Sequence, residues 1–323
     1  METVACFLCG ADDYEVVYQA QQERETRADL VQTFRASGDE LLIDQLVRCR
    51  RCRFQYVNPR LRSEVIFASY VEGEDDAYVS QLEARERTFA ASLRRIEHLA
   101  GSRGRLLDIG TAAGAFVAAA KAQGWDAEGC EPNVWLADWG SRHYGIRIRQ
   151  GSVLDLSYEP GSFDVVTLWD VIEHTVNPCQ MLEHCHALLK PGGLLVVNYP
   201  DIGSWIARVL GRRWPFLTSV HLYYFTRTTM RRMLEPIGFS VVAVRPHVQR
   251  LELDYILFRA SVIGGTLAQT ARAAARSLGL GRTQVPYWLG QTFMAARRGT
   301  DRAPETAPRG PKREPMSRCA NLY

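Results

Sequence analysis

The chain has 323 residues, of which 46% are hydrophobic and 23% charged, and its formal net charge is +3. This composition is typical of a globular protein with one large and one small domain. The small net charge argues against DNA as a partner and disfavours RNA. No run of about 18 apolar residues occurs, and the N-terminus lacks the basic and apolar regions of a signal peptide. A cytoplasmic protein without a transmembrane segment is therefore expected.

Two C-x-x-C pairs mark the N-terminal segment 1–62. Cys6 and Cys9 form the first pair, and Cys49 and Cys52 form the second. In a reducing compartment such pairs are typical of structural zinc sites, in which four thiolates complete a tetrahedral coordination. The sequence therefore predicts a small four-cysteine zinc module. Four unligated cysteines and a nucleic-acid-binding zinc finger stay open as alternatives.

Basic residues surround the second cysteine pair. They are Arg48, Arg50, Arg51 and Arg53. Because a zinc ion with four thiolates carries a net negative charge, we expect these arginines to offset it and to favour deprotonated sulfur.

Helices and strands follow in alternation. Residues 63–104 read as a helical connector, with an apolar face on a charged helix. Strands are predicted at 105–110, 125–132, 151–157, 163–170, 194–200, 239–244 and 290–298, with helices at 113–124, 178–190 and 226–238. This order predicts an α/β fold with a doubly wound, Rossmann-like sheet. The proline-rich tail 299–323 is predicted to be disordered.

A glycine-containing turn follows the first of these strands. Gly110 and Gly114 form G-x-x-x-G, with Ala112 where a dinucleotide site places its middle glycine. Glu131 ends the second strand, where a carboxylate can accept both ribose hydroxyls, and Asp155 follows the third, where it can accept from an adenine amino group. In a dinucleotide site the middle glycine lets the backbone approach the pyrophosphate. S-adenosylmethionine (SAM) has no phosphate, so this set of residues favours SAM over a dinucleotide.

Four segments resemble, in order, the motifs of class I SAM-dependent methyltransferases: LLDIGTAAGAF, CEPN, FDVVTLWDVIEH and LLKPGGLLVVNYPD, within 105–245. The resemblance implies a SAM domain over 105–298, with 290–298 as an antiparallel seventh strand and 246–289 as an inserted helical segment. The cofactor-binding residues expected on this basis are Asp108, Gly110, Thr111, Gly114, Glu131, Val153, Asp155, Trp169 and Asp170.

The cysteine-containing head also resembles the one that precedes the SAM domain in methyltransferases of sugar, polysaccharide and natural-product pathways. This resemblance implies methyl transfer to an oxygen or carbon of a small molecule, such as a nucleotide- or lipid-linked sugar. An RNA methyltransferase that holds RNA with the zinc module is the first alternative. A non-catalytic scaffold that keeps the SAM fold is the second.

Two histidines are candidates for the base that removes a proton from the acceptor. His174 follows the fourth strand, and His221 follows a variable stretch that we expect to cover the substrate. Histidine suits this role because its pKa lies close to physiological pH. We favour His221, and a buried, loop-ordering role is the alternative for each. Tyr70 and Tyr78 could close over the cofactor, but core packing is favoured for them.

The segment 202–220 contains no acidic residue but holds Arg208, Arg212 and Arg213. A lid over the substrate is the interpretation that the resemblance supports. The arginines could instead clamp a phosphate or diphosphate, the segment could contact a membrane surface, or its basic face could simply be solvated.

Overall fold

The structure, a computed structural model, describes residues 1–21, 34, 36 and 41–300. The tail predicted to be disordered lies outside the described residues from 301 onward. The described strands are β1 Tyr14–Tyr18, β2 Leu46–Cys49, β3 Gln55–Val57, β4 Arg105–Ile109, β5 Asp126–Glu131, β6 Ile148–Gln150, β7 Phe163–Trp169, β8 Leu189–Pro200, β9 Tyr223–Tyr224, β10 Phe239–Pro246, β11 Gln249–Glu252, β12 Gln284–Tyr287 and β13 Gln291–Arg298.

Nine α-helices occur among the described residues. They are α1 Ser63–Glu72, α2 Asp76–Val79, α3 Leu82–Ala100, α4 Ala115–Ala122, α5 Val134–Tyr144, α6 Pro178–Leu188, α7 Trp205–Leu210, α8 Arg227–Leu234 and α9 Leu253–Ser277. The first three lie within residues 63–104, the segment predicted to be a helical connector. Short 3₁₀ turns follow α7 and α8.

A seven-stranded sheet forms the centre of the molecule, in the order β10-β13-β8-β7-β4-β5-β6. The pairs from β8 to β6 are parallel, whereas β13 runs antiparallel to both β8 and β10. This arrangement confirms the predicted Rossmann-like α/β sheet and its antiparallel seventh strand.

Both faces of the sheet are buried, and successive strand residues pack on opposite sides. On β4, Leu106 belongs to the core that contains α3 and α4, while Leu107 belongs to the core that contains α6. Leu194 and Leu195 of β8 divide in the same way. Because side chains alternate along a strand and helices cover both faces, these strands consist of continuous apolar runs.

One predicted strand lies elsewhere. The third strand of the sheet is Ile148–Gln150, and not the predicted 151–157. Residues after Gln150 instead form a turn, in which the amides of Asp155 and Leu156 donate to the carbonyl of Ser152 at 3.0 and 3.1 Å. The parallel sheet therefore ends before Asp155, which moves this residue away from the strand tip.

The inserted segment contains more than a helix. β11 and β12 pair antiparallel on either side of α9, with Gln249 opposite Tyr287. The sequence analysis predicted only the helical part. This two-stranded ribbon lies beside α3, since the amide of Arg250 donates to Thr88 Oγ1 at 2.9 Å.

The N-terminal strands form a second sheet, in the order β1-β2-β3-β9. Its last strand, Tyr223–Tyr224, comes from the chain after the central β8. Phe54 packs its ring on those of Tyr223 and Phe225, at centroid distances of 5.8 and 5.2 Å. The cysteine-bearing segment is thus joined to the rest of the protein by both strand pairing and an aromatic core.

Candidate active site

The turn after β4 is held by the end of β5. The amides of Gly110 and Thr111 donate to the carbonyl of Cys130 at 2.9 and 3.1 Å, and the amide of Ala112 donates to Glu131 Oε2 at 2.7 Å. Gly110 has a φ of +67°, and a Cβ there would lie 2.7 Å from Val171 Cγ2. The turn therefore requires glycine for both its backbone conformation and its close contact.

A cavity of about 320 Å³ opens above this turn, a size within the usual range for small-molecule sites. Five predicted cofactor residues line it: Asp108, Gly110, Val153, Trp169 and Asp170. The structure therefore brings the tips of β4 and β7 and the turn after β6 together around one space.

The other four predicted cofactor residues do not line this cavity. Thr111 and Glu131 are buried in the turn beneath it. Gly114 begins α4 and packs against Ile146 and Ile148, each of which would lie 2.8 Å from a Cβ at that position. Asp155 is exposed, and Ser152, Val153 and Leu154 take its place in the lining.

Two buried carboxyl groups lie at the base of the cavity. Asp108 accepts a hydrogen bond of 2.6 Å from Thr167 Oγ1, and Glu131 accepts backbone N–H groups at both oxygens, from Ala112 and from Asn133. Burial raises the pKa of Asp108 to about 7 and that of Glu131 to about 7, although these hydrogen bonds oppose the shift. A ligand with hydroxyl donors or positive charge would favour their ionised forms.

Tyrosines from the helical connector complete the cavity. Tyr70 and Tyr78 both line it, although the sequence analysis favoured core packing for them. Asn133 Nδ2 donates to the carbonyls of Tyr70 and Gly73, each at 2.7 Å, and this pair of bonds holds the end of α1 against the start of α5. Burial, followed by the carboxylate of Glu131, raises the pKa of Tyr70 above its ordinary value.

A second cavity, of about 490 Å³, adjoins the first. Asp170 and His174 line both spaces, and His221 lines the second. Its walls come from the stretch before His221 and from the inserted segment, with these apolar and aromatic residues: Leu210, Pro215, Phe216, Val220, Leu251, Tyr255, Ile256, Tyr287 and Leu289. The arrangement can hold a cofactor and an acceptor on either side of the tip of β7.

Asp170 lies at the junction of the two cavities in a strained conformation. Its φ is +52°, a value that residues other than glycine seldom adopt. Asn198 Nδ2 donates to its carboxylate at 2.6 Å, and Gln291 Nε2 approaches it at 3.4 Å. Such strain is typical of functional sites where the surrounding structure over-determines the backbone.

His174 and His221 face each other, with ring centroids 4.7 Å apart. His174 Nδ1 lies 3.0 Å from the carbonyl of Val220, and His221 Nδ1 lies 2.8 Å from that of Phe216. Burial lowers the pKa of His174 to about 4, which keeps this imidazole neutral near pH 7. The structure therefore brings the two predicted bases together.

A third group, which the sequence analysis did not select, completes this cluster. Glu173 is 1% exposed, and one of its carboxylate oxygens lies within 4.8 Å of a ring nitrogen of each histidine. In the sequence, the adjacency of Glu173 and His174 just after a predicted strand indicates that Glu173 belongs to this cluster. Gln249 and Gln291, in contrast, are far from Asp170 in the sequence and approach it only in the folded protein.

The basic residues of 202–220 face outward. Arg208, Arg212 and Arg213 are exposed, and none of them lines the second cavity. Four apolar residues of the same stretch do line it, whereas Trp205 and Val209 of α7 are 64% and 75% exposed. None of the helices in the described part of the chain is both long and apolar enough to cross a membrane.

The four N-terminal cysteines lie together. Cys6 Sγ is 3.4 Å from Cys52 Sγ, Cys9 Sγ is 3.5 Å from Cys49 Sγ, and all four sulfurs lie within 4.8 Å of one another. Tetrahedral zinc–thiolate coordination, with bonds of about 2.3 Å, would separate the sulfurs by roughly 3.8 Å. The donor set therefore fits a structural zinc ion.

Each cysteine pair is followed by a residue with positive φ, Gly10 at +72° and Arg53 at +68°. The amide of Gly10 donates to the carbonyl of Cys6 at 2.7 Å, and that of Arg53 to the carbonyl of Cys49 at 2.9 Å. The two turns thus repeat one geometry, and this similarity brings the sulfurs of both pairs to a common point.

The nearby arginines have acidic partners of their own. Arg48 and Arg53 both contact Glu15, at 2.6 and 2.9 Å, and Arg50 lies 3.3 Å from Asp13. Three of the four arginines thus have carboxylate partners, and their effect on the thiolate charge stays a prediction.

Comparison with known proteins gives a consistent picture. A family model described as a methyltransferase domain matches residues 81–244, just over half of the chain. A ubiquinone biosynthesis O-methyltransferase of Paraburkholderia phymatum is 29% identical over 125 residues, which cover 36% of this chain and 53% of the relative. Another of the same description, from Roseobacter denitrificans, is 36% identical over 155 residues, covering 42% and 62%.

Among solved structures, a SAM-dependent methyltransferase from Archaeoglobus fulgidus aligns with a TM-score of 0.49 and 16% identity, over 69% of this chain and 100% of that one. The chain spans about half the length of the curated relatives it matches. Since the family model matches more than half of its residues, including the turn after β4 and the tip of β7, the chain belongs to the methyltransferase-domain family.

Proposed function

We propose that this protein transfers a methyl group from SAM to an oxygen atom of a small-molecule acceptor. The observation that carries the proposal is the pair of adjoining cavities, both of which are lined by Asp170 and His174 at the tip of β7. SAM would supply a methyl group on a positively charged sulfur. An oxygen acceptor is favoured because curated relatives are named O-methyltransferases.

The first cavity is proposed to hold SAM. Asp108, Trp169 and Asp170 would border the ligand directly, and Gly110 would allow it to approach the backbone closely. Glu131, which orders the turn through two backbone hydrogen bonds, is proposed to accept the ribose hydroxyls once it is ionised. For Asp155 we expect no such contact, because its side chain is exposed and lies outside the cavity lining.

The second cavity is proposed to hold the acceptor. Its largely apolar and aromatic wall suits a hydroxylated molecule with an apolar body more than a free sugar. The sugar-linked acceptors suggested by the cysteine-containing head stay a prediction. His174 and His221 are proposed to promote loss of the proton from the acceptor hydroxyl, so that its oxygen can form the new C–O bond while the C–S bond breaks.

The alternatives have less support. Among the described residues of the cysteine-bearing segment, Phe7 and Phe54 pack on Tyr223, and Arg48 and Arg50 pair with Glu15 and Asp13, which does not favour RNA binding by these side chains. A scaffold without activity would not need two connected cavities. Peripheral contact with a membrane through α7 and a cytoplasmic location stay predictions.

Calorimetric titration with SAM and with its demethylated product tests the cofactor site, and transfer of a labelled methyl group to a panel of hydroxylated aromatics and sugars tests the reaction. We expect binding of both ligands, and turnover that His221→Ala abolishes while SAM still binds. The absence of affinity for either ligand in folded, zinc-loaded protein would disprove the proposal. Unchanged turnover in His221→Ala would remove the role of that histidine.

A further inference from the structure

Glu173 is a buried carboxylate close to another one, that of Asp170. It is 1% exposed, and neither of its oxygens has a hydrogen-bond partner among the residues that the structure describes. The charged group that most affects it is another carboxylate, that of Asp170, which together with burial raises the pKa of Glu173. In such surroundings the ionised carboxylate is stable only beside a positive charge, which a bound cation would supply.

The two neighbouring histidines are oriented as metal ligands usually are. Each directs Nδ1 at a backbone carbonyl, His174 at that of Val220 and His221 at that of Phe216. Because a carbonyl only accepts hydrogen bonds, Nδ1 carries the proton, and Nε2 carries the lone pair. Metal-binding histidines are fixed in their tautomer by this type of hydrogen bond.

The backbone holds the three side chains in one place. The amides of Leu222 and Tyr223 donate to the carbonyl of Glu173 at 2.9 and 3.3 Å, which ties the chain after β7 to the chain around His221. The candidate ligand atoms of the cluster lie within 4.8 Å of one another. A divalent ion about 2.0–2.2 Å from each of three ligands needs spacings of roughly 3–4 Å, which lie within this limit.

We infer that Glu173, His174 and His221 bind a divalent transition-metal ion at the junction of the two cavities. Two imidazoles and one carboxylate suit Mn²⁺, Fe²⁺, Co²⁺ or Zn²⁺ better than Ca²⁺. Glu173, His174 and His221 all line the second cavity, so an acceptor bound there would lie beside the ion. This site is separate from the four cysteines, whose thiolates select a softer ion.

The inference rests on the proposed function and specifies how the two histidines act. The metal ion would bind the acceptor oxygen and lower the pKa of its hydroxyl, so that the proton passes to solvent water and not to a histidine. The ionised oxygen then takes the methyl group, and the sulfur retains the electron pair of the broken C–S bond. An acceptor with a second oxygen beside the first could occupy two open positions.

Binding of Mn²⁺ tests the site, because this ion disfavours thiolate ligands and its electron paramagnetic resonance is easily followed. In wild-type protein that carries only one equivalent of zinc, the amount the four cysteines can hold, we expect one Mn²⁺ per chain, with nuclear coupling to the nitrogen of the imidazoles. Glu173→Gln should weaken binding at least about tenfold, and His174→Ala should reduce the nitrogen coupling. The matched control His186→Ala, on α6 and outside both cavities, should bind as wild type.

Thermal melting and SAM calorimetry on each variant separate loss of the site from misfolding. Absence of Mn²⁺ binding by folded wild-type protein would overturn the inference, as would unchanged binding in Glu173→Gln. If methyl transfer persists undiminished after treatment with a chelator that leaves the cysteine-bound zinc in place, the metal site is wrong but the proposed function stands. If SAM itself fails to bind, the proposed function fails whatever the result with Mn²⁺.

Discussion

The imidazole rings of His174 and His221 lie 4.7 Å apart at an angle of 67°, although one residue follows a central strand and the other precedes a strand of the N-terminal sheet. Their proximity depends on the carbonyl of Glu173, which accepts the amides of Leu222 and Tyr223. Tyr223 belongs to the sheet that carries the cysteines, and Leu222 directly precedes it. The short segment 221–225 therefore links the proposed acceptor site to the cysteine cluster.

This link predicts an effect of Tyr223→Phe. The hydroxyl of Tyr223 accepts from the buried Arg60 and donates to the carbonyl of Val176, both at 2.7 Å. Loss of both bonds should lower the free energy of unfolding by about 1–3 kcal/mol. Chemical denaturation measures this change.

Tyr56→Phe is the matched control. Its buried hydroxyl has no hydrogen-bond partner among the described residues, so its removal should leave the free energy of unfolding unchanged or slightly increased. Equal destabilisation by the two substitutions would contradict the importance of the Tyr223 hydroxyl.

Removal of one cysteine from the proposed zinc site should destabilise the protein. Cys49→Ser removes one of the four ligands of a site whose surroundings include Phe54 and Tyr56 in the shared core. We expect loss of one equivalent of zinc and a decrease in stability of at least about 3 kcal/mol. Metal analysis and denaturation provide the measurements.

The control for this substitution is Cys185→Ser, since Cys185 is equally buried but belongs to α6 and lies outside the cluster. It should keep the full zinc content even where it lowers stability. Retention of zinc by Cys49→Ser would show that the sulfurs do not form the site.

The turn after β4 should be intolerant of a side chain at Gly110. Gly110→Ala has to adopt a positive φ and also brings its Cβ within 2.7 Å of Val171, beside the cavity. We expect about 1–3 kcal/mol of destabilisation and a weakening of SAM binding by about tenfold or more. Denaturation and calorimetry measure the two effects.

Gly145→Ala separates backbone strain from the local contact. Gly145 ends α5 at a φ of +63°, and nothing lies within 4 Å of a Cβ added there. This variant should lose about 1–2 kcal/mol of stability through strain alone and bind SAM normally. Normal SAM binding by Gly110→Ala as well would remove the turn from the cofactor site.

The stability of the SAM-free protein should decrease as the pH rises through about 7. Burial raises the pKa of both Asp108 and Glu131 to about 7, above their values in the unfolded chain. The protonated forms of these two carboxyl groups therefore contribute their full stabilisation of the folded protein at pH values below about 4. This contribution to the free energy of unfolding is lost towards pH 8, by an amount on the order of a few kcal/mol. Saturating SAM, which favours the ionised carboxylates, should reduce this pH dependence.

Glu131→Gln tests whether Glu131 contributes to the pH dependence of stability. The substitution should flatten the dependence of the unfolding free energy on pH, whatever it does to the stability at a single pH. Asp155→Asn, at an exposed position outside the cavity, should leave the dependence as in wild type. A profile that Glu131→Gln does not alter would assign the effect to other groups.

Local patterns in the sequence determined the α/β order, most strand positions, the four clustered cysteines and the turn around Gly110. These features follow from apolar runs, glycine at a positive φ and ligand spacing, each of which acts over a few residues. The prediction was wrong at 151–157, because a strand of three residues gives too short an apolar pattern to locate its end. Of the two residues predicted there as cofactor contacts, Val153 lines the cavity and Asp155 is exposed outside it.

Only the tertiary structure decided how distant residues meet. The sequence alone does not show that Glu173 joins His174 and His221, that Gln249 and Gln291 approach Asp170, or that Tyr223 completes the N-terminal sheet. These contacts depend on hydrogen bonds and packing between segments far apart in the chain, for which no local periodicity exists. The charge and shape of the acceptor site are for that reason properties of the folded protein.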